Sequence, residues 1–527
     1  MNALATDITV IDPLHLEAWQ NSLNWPITDV DYFAINSLVL STIKRLVYIL
    51  PPIECALVLS DVFPFYINQI IHARIVRQRC QEQSIPLRIG KLSQQFYEPD
   101  WALLSTQYKR VIHGNFLNAW LRKRLKDIKF NGSLPLHKRI HGLFSPDATG
   151  LGSHSRLKQE YCTQNNIYTS HTYLELILKN FSGKSIPLPS NLSQALRQGT
   201  QELCSTIHDA YNVDLEPEII FGCWSERLAQ LHGIFHYITG LKGYAPLWFI
   251  SESAKPLHKV IASAIRHTGS DVVGLLHGYY FGEHLPKNFI YNDVAPYSAF
   301  LVPNSSCASY LEQEYINADL PKSYSTQFFA TETTYYEELL QQNQKVNLPK
   351  SINTIMLLGF PMNAIRYYYV PGLFFPYQLD IEIRLIKYLN EKGIRVIYKM
   401  HPDRIQVAMD IFSKLDVEIV VDPFEKCWMQ ADALLIKYTA STILPFALCT
   451  NRPIFMLTHE KDIFSAEHFE LLAKRCRMIP AWMDERNTIQ FDQDAFSAAL
   501  QVKPEMPNYE YIERFMYPAN RNTPLNQ

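Results

Sequence analysis

The stretch ADALLIKYTASTILPFALCTNRPIFMLT (431–458) decides the fold. It opens on a short apolar run, ADALLIK (431–437), and passes through hydroxyl-bearing residues into a helical pattern, TASTILPFALCTN (439–451). It closes on a second apolar run, RPIFMLT (452–458). Short runs that are apolar on both faces read as strands buried on both sides, and a helix between two of them is the crossover of a parallel pair. The pattern repeats outward. NTIMLLGF (353–360) is a strand ending near a glycine, and LDIEIRLIKYLNEKG (379–393) is a helix with Gly393 as its C-terminal stop. RVIYKMHP (395–402) is a strand, a helix lies near 405–415, VEIVVDP (417–423) is a strand, and FEKCWMQ is a short helix leading back into the opening run. Such alternation predicts a doubly wound parallel sheet.

A second, interrupted alternation precedes it. CALVLSD (55–61) reads as a strand, followed by a helix to about 84 and a short strand, PLRIG. After a long helix-rich segment come APLWFIS (245–251) as a strand, KPLHKVIASAIRHTG as a helix, and DVVGLLHG (271–278) and YSAFLVP (297–303) as strands. A helix, NSSCASYLEQEY, then opens with Asn304 as its N-cap. The expected class is therefore α/β with two Rossmann-like, doubly wound domains. Residues 1–340 form the first, with a helix-rich insertion at about 91–240, and residues 341–503 form the second. Residues 504–527 are a tail that packs back on the first domain or frays. The polar stretch 339–353 is the linker, and no internal repeat is visible.

Composition narrows the function. The chain has 527 residues, with Lys+Arg 49 against Asp+Glu 51, so a global electrostatic grip on nucleic acid is not expected. With 47% hydrophobic and 19% charged residues, it has material for sizeable cores and is not a disordered chain. Nine Cys without a C-x-x-C pair read as reduced, buried thiols, which points to the cytoplasm. AINSLVLSTI is closed by Lys44 and Arg45 and is too short to span a bilayer; the N-terminus lacks a basic and apolar leader. Zincin, G-x-S-x-G, P-loop and G-x-G-x-x-G patterns are absent, so neither metal nor cofactor is expected.

Five places carry residues suited to chemistry. YKMHPDR (398–404) brings Lys399, His401 and Arg404 to a strand end, with Pro402 holding the turn; a strand-end histidine among solvated basic residues is the structural alternative. IKYTASTILPFAL (436–448) brings Lys437, Thr439, Ser441 and Thr442 to the next strand end, where hydroxyls either hold an anion or simply cap a helix. GLLHGYYFGEH (274–284) supplies His277 and Glu283 as base candidates, and Gly278, Tyr279 and His284 as an acceptor surface; the alternative is a buried histidine and a solvated loop. Asp61 ends the first apolar run and is either a third base candidate or a helix cap. Finally, nine Lys/Arg and one acid, Asp127, fall within 109–139, with Leu117, Leu121, Leu125 and Ile128 at helical spacing and Trp120 beside them. This is an amphipathic helix for an anionic bilayer surface, a site for an anionic acceptor, or a solvated face packed by its leucines.

The motifs K-M-H-P (399–402), DALLIKYTASTILPFALCTNRPIF (432–455) and LLHG (275–278) resemble bacterial GT-B glycosyltransferases of surface-polysaccharide synthesis. The resemblance runs from about 245 to 460. It is nearest to capsule and lipopolysaccharide transferases that use CMP-activated acidic sugars of the Kdo, sialic or pseudaminic type. The CDP-glycerol glycerophosphotransferases share a related pattern. The resemblance implies two domains facing a cleft. The second would bind the nucleotide-sugar donor, with His401 on the donor phosphate and Ser441 and Thr442 on the same phosphate or the sugar carboxylate. The first would bind a glycan or lipid-linked acceptor and supply the base. It also implies work at the cytoplasmic face of the membrane. The D/E-D/E-G motif of bacterial sialyltransferases is not found, and the first 240 residues carry no part of the resemblance.

Without a metal, a departing nucleoside phosphate would be stabilised by His, Lys, hydroxyls and helix N-termini. Two other readings remain open on the same fold. An epimerase or hydrolase would consume donor with no acceptor present, and a non-enzymatic scaffold for polysaccharide assembly would bind no nucleotide.

Overall fold

The computed structural model describes residues 10–11, 26–84, 87–89, 94–110, 116–152, 155–251, 255–276, 290–321, 324–360, 375–402, 405–437, 443–458, 464–485 and 487–518. Two parallel sheets organise them, each with its own run of alternating strands and helices.

The chain begins in helices. A two-residue bridge, β1 (Val10–Ile11), pairs with β2 (Leu87–Arg88). Between them lie α1 (Asp29–Ile49), α2 (Pro52–Ser60) and α3 (Phe63–Glu82). Thr28 and Asp31 start α1 with a reciprocal capping box, each side chain accepting from the other's backbone N–H. The segment expected as a first strand, 55–61, is therefore helix. Pro51 and Pro52 are its cause. They fix φ and remove donors, which suits the first turn of a helix and not the middle of a sheet. Among the described residues no single helix is long and apolar enough to cross a membrane. The pair α2 and α3 has the combined length and composition but bends by 51° between them.

Then α4 (Phe116–Phe130) and α5 (Leu136–Phe144) lead into the first sheet. It comprises β3 (Ala148–Leu151), β4 (Thr169–Thr172), β5 (Leu247–Ile250), β6 (Asp271–Leu275), β7 (Ala299–Val302) and β8 (Gln327–Ala330). The order is β4-β3-β5-β6-β7-β8, all parallel. The region expected as a helical insertion, about 91–240, thus carries two of the six strands. It also carries α6 (Arg156–Gln164), α7 (Ser190–Tyr211) and α8 (Pro217–Gly240). One sheet face packs on α8, α2 and α9 (Pro256–His267) in the main core. The other carries a smaller cluster of Phe130, Ala148, Cys162, Phe249, Leu275 and Leu301. Helices α10 (Ser305–Asn317) and α11 (Tyr335–Asn343) follow, and Asn304 caps α10 as expected, accepting from Cys307 N–H at 2.9 Å.

The second sheet comprises β9 (Thr354–Leu358), β10 (Arg395–Lys399), β11 (Glu418–Val420), β12 (Ala433–Ile436), β13 (Ile454–Thr458), β14 (Arg477–Met483) and β15 (Ile489–Phe491). Its order is β11-β10-β9-β12-β13-β14-β15, parallel except for β15, which runs antiparallel to β14. The helices are α12 (Phe375–Glu391), α13 (Ile405–Phe412), α14 (Ile443–Leu448), α15 (Ala466–Arg475), α16 (Gln493–Gln501) and α17 (Glu510–Phe515). All four residues of β12 are buried, as a strand covered on both faces requires. All nine cysteines are buried and unbridged.

The tail ties the two units together. His468, in the first turn of α15, stacks on Phe515 with ring centroids 3.9 Å apart and lies 6.4 Å from the Tyr310 ring of α10. Asn304 Nδ2 donates to the Phe515 and Tyr517 carbonyls. The contact joins two helices that each follow a strand, α10 after β7 and α15 after β13.

Candidate functional site

In an open parallel sheet a crevice forms where strand order reverses, because loops from neighbouring strand ends leave toward opposite faces. In the second sheet this happens between β9 and β12. The chain lays β10 and β11 on one side of β9, then crosses to lay β12, β13 and β14 on the other. Lys399 is paired with Leu358, and Leu435 with Leu357. The carboxyl ends of β10 and β12 therefore flank that of β9, about 10 Å apart at the usual spacing of strands. The two stretches that sequence pattern singled out, 399–404 and 437–442, start from one sheet edge. Of their residues, Arg404, Thr439, Ser441 and Thr442 lie outside the described residues.

The edge rests on a buried polar cluster. Glu382, fully buried in α12, accepts from Phe360 N–H at 2.6 Å and from the Tyr398 hydroxyl at 2.9 Å. Its carboxylate lies 2.9 Å from Lys437 Nζ, which also donates to Gln378 Oε1 at 2.6 Å. Burial pushes the Glu382 carboxyl up and the Lys437 ammonium down, and their mutual attraction opposes both shifts. Gly359 is required here, since a Cβ would sit 2.5 Å from Tyr398 Oη.

This geometry revises the reading of the two lysines. Lys437 points back beneath the sheet edge against Glu382, with its side chain 2% exposed. Lys399 is also buried, donates to the Met400 carbonyl at 2.6 Å, and is pushed down by burial. Neither ammonium faces the edge as a seat for an anion. His401 is half-buried and Pro402 exposed at that edge. Lys437→Ala is expected to cost about 3–5 kcal/mol of stability, because it strands a buried carboxylate. The double change Glu382→Leu with Lys437→Met should recover most of that in thermal melts. Weaker anion binding at unchanged melting would instead make Lys437 a ligand.

The first sheet has its own switch, between β3 and β5. Gly152 follows β3 with φ +95°, and a Cβ there would lie 2.7 Å from the Ser251 carbonyl, so glycine is needed for the two strand ends to close up. Beyond Leu276, which closes the described part of β6's edge, His277, Gly278, Tyr279, Glu283 and His284 lie outside the described residues.

Asp61 is placed elsewhere than expected. It ends α2, a helix and not the expected strand, and is buried. Arg227 of α8 donates to it twice, Nη2 to Oδ1 at 2.6 Å and Nε to Oδ2 at 3.0 Å, and the Tyr108 hydroxyl donates at 2.6 Å. A carboxylate so enclosed braces helices and has no path to an acceptor hydroxyl. Among the described residues, no group of three or more His, Cys, Asp or Glu is arranged to hold a metal ion.

Sequence reasoning missed Glu382 and the turn at Gly152. Glu382 was detectable, because in LDIEIRLIKYL it stands three residues after Leu379 and four before Ile386, on the apolar stripe. An acid on a buried stripe demands a partner.

No protein-family model matches the chain, and no curated protein matches it. Among solved structures, a UDP-N-acetylglucosamine 2-epimerase from Rickettsia bellii is similar at 12% identity and a TM-score of 0.33, over 69% of this chain and 88% of that one. The wall teichoic acid polymerase TagF is similar at 11% identity and a TM-score of 0.25, over 66% of this chain and 81% of that one. Likenesses this faint carry neither fold nor activity across, and the two sheets stand on their own strands.

Proposed function

We propose that this chain is a GT-B-type glycosyltransferase. Its donor, on this reading, is a nucleotide-linked sugar bound at the β9/β12 switch, and its acceptor is a glycan or lipid-linked glycan bound at the edge of the first sheet. The observation that carries the proposal is the strand order of the second sheet, which reverses between β9 and β12, next to the strand end that precedes His401. A parallel sheet offers a nucleotide its carboxyl edge, and transfer needs a second surface on the same side for the acceptor. The contact of α10 with α15 brings the helix after β7 against the helix after β13.

In this reading His401 holds the donor phosphate and stabilises the charge that develops on the leaving nucleoside phosphate. The hydroxyls of Thr439, Ser441 and Thr442 and the guanidinium of Arg404 are its proposed partners. Lys437 and Lys399 keep the edge rigid from below. His277 and Glu283 are the proposed bases for the acceptor hydroxyl, with Gly278, Tyr279 and His284 around it; Asp61 is withdrawn from that role. The donor proposed first is a CMP-linked acidic sugar such as Kdo or a nonulosonic acid, on the resemblance of 399–402 and 432–455.

The test is calorimetric titration of the full chain with CMP, CDP, UDP and GDP. CMP is expected to bind at micromolar concentration, with no binding in His401→Ala. Preference for CDP would move the reading to glycerophosphotransfer. Preference for UDP, with donor consumed in the absence of acceptor, would move it to epimerisation or hydrolysis. Binding of none of the four would overturn the enzyme reading.

A further inference from the structure

Helix α4 is amphipathic in the reverse sense. Its polar stripe faces the protein. Strand β4 is the edge of the first sheet, and α4 satisfies its outward backbone groups with side chains. Asp127 Oδ1 accepts from His171 N–H at 2.6 Å, Asn131 Oδ1 accepts from Thr169 N–H at 3.0 Å, and Asn131 Nδ2 donates to the Thr169 carbonyl at 2.9 Å. Lys123 adds a 2.6 Å bond to Ser170 Oγ, and Lys126 Nζ reaches the Gly152 carbonyl at 2.6 Å. These contacts fix the rotation of the helix, with 123, 127 and 131 inward at helical spacing.

The apolar stripe is left facing out. Leu125 is 69% exposed and Ile128 62%, with Leu121 on the same face. The next helix does the same. In α5 the inward residue is Gly142, where a Cβ would fall 2.0 Å from the Tyr168 ring, so that face is closed against the sheet. Its Leu136 is 68% and Phe144 86% exposed, with Ile140 between them. Two consecutive helices that turn large apolar side chains to solvent need a cover.

The charge beside the patch identifies the cover. Of the seven Lys/Arg in residues 116–144, Lys123 and Lys126 point inward, and Arg122 and Lys138 pair with Glu175 and Asp147. The single acid, Asp127, is buried against Lys123 and His171, so the exposed charge on α4 is positive. Arg124 and Lys129 are exposed beside the apolar stripe, and Arg124 lies over the Trp120 ring. Apolar side chains rimmed by cations, with a tryptophan at the margin, match the interface of a bilayer that carries anionic headgroups.

We propose that α4 and α5 dock the protein on an anionic phospholipid bilayer, with Leu121, Leu125, Ile128, Leu136, Ile140 and Phe144 entering the headgroup boundary. This assignment holds whatever chemistry the two sheet edges perform. Flotation of the full chain with phosphatidylcholine vesicles, with and without about 30 mol % phosphatidylglycerol, tests it. Wild type should float with the anionic vesicles, less with the neutral ones, and less again at high salt. Arg124→Gln with Lys129→Gln should weaken binding about 25-fold, at roughly fivefold per cation. Leu125→Ser with Ile128→Ser should weaken it by at least as much, with the thermal melt unchanged because both side chains are exposed. Wild type that stays with the neutral and anionic vesicle-free fractions, or variants that float like wild type, would overturn the proposal. So would lipid-independent dimers that dissociate in Leu125→Ser with Ile128→Ser, since the cover would then be a second copy of this chain.

Discussion

His401→Ala is expected to lower kcat/KM for transfer by about 10²–10³-fold, the usual loss when one donor to a developing oxyanion is removed. The melting temperature should not move. The reasoning is positional. Of the titratable residues described in the two stretches at the β9/β12 switch, Lys399 is held by the Met400 carbonyl and Lys437 by Glu382. His401, half-buried, sits just beyond the end of β10. Its backbone is held in place, because Met400 N–H donates to the Val420 carbonyl at 2.9 Å and so extends the β10–β11 ladder by one residue. A side chain at a fixed strand end can meet a phosphate without reorganisation, and that is where preorganised donors gain most. His401→Gln should retain part of the rate if a neutral hydrogen bond suffices. Equal loss in both variants would show that the imidazolium charge matters. Full activity in His401→Ala would remove the phosphate role. A simultaneous drop in melting temperature would make the residue a structural one.

The second sheet was readable because its strands are buried on both faces and its helices are amphipathic, so the period of hydrophobicity switches cleanly between β9 and β13. The first sheet was readable only from β5 to β7. Strand β3 is ATGL and β4 is TSHT, with no apolar run to mark either. Strand β4 tolerates this because it is an edge strand whose partner on the open side is a helix, and Asp127 and Asn131 supply the hydrogen bonds that another strand would give. Sequence-local patterns do not encode that arrangement. The opposite error arose at 55–61. CALVLSD is continuously apolar because α2 is enclosed by α1, α8 and α9, and short apolar runs do not distinguish a buried helix from a buried strand. The prolines at 51 and 52 were the available signal. Of the candidate site, the strand ends were legible: β10 ends at Lys399 and β12 just before Lys437, but the direction of each lysine was not. For Lys437 that direction is set by Glu382, which comes from a helix on a different part of the chain; for Lys399 it is set by the Met400 carbonyl.

Asp61→Ala is expected to destabilise the protein by about 3–5 kcal/mol, a factor of roughly 10²–10⁴ in the folding equilibrium. The carboxylate removed is one half of a fully buried, bidentate pair, and the half left behind is the worse one. Arg227 has no exposure, and its remaining partners are the Leu104 carbonyl and Gln107 Oε1, both on Nη1, and the Tyr108 hydroxyl. None of these carries a compensating charge. The guanidinium cannot shed its proton to adapt, as a lysine could, so the helices it joins must open to let water in. Asp61→Asn should fall between, because one carbonyl oxygen still accepts while the charge is gone. Tyr108→Phe should cost only about 1 kcal/mol, the net value of a neutral hydrogen bond. Replacing both charges, with Asp61→Leu and Arg227→Met, should be milder than Asp61→Ala alone, since no unpaired ion remains. Urea or thermal unfolding measures this series. The ordering separates a strut from a base: if Asp61 took the proton from an acceptor hydroxyl, Asp61→Asn would abolish transfer with an unchanged melt, and Tyr108→Phe would be no milder than Asp61→Ala. The bidentate geometry predicts the reverse, with transfer per folded molecule retained in Asp61→Asn while the melt shifts.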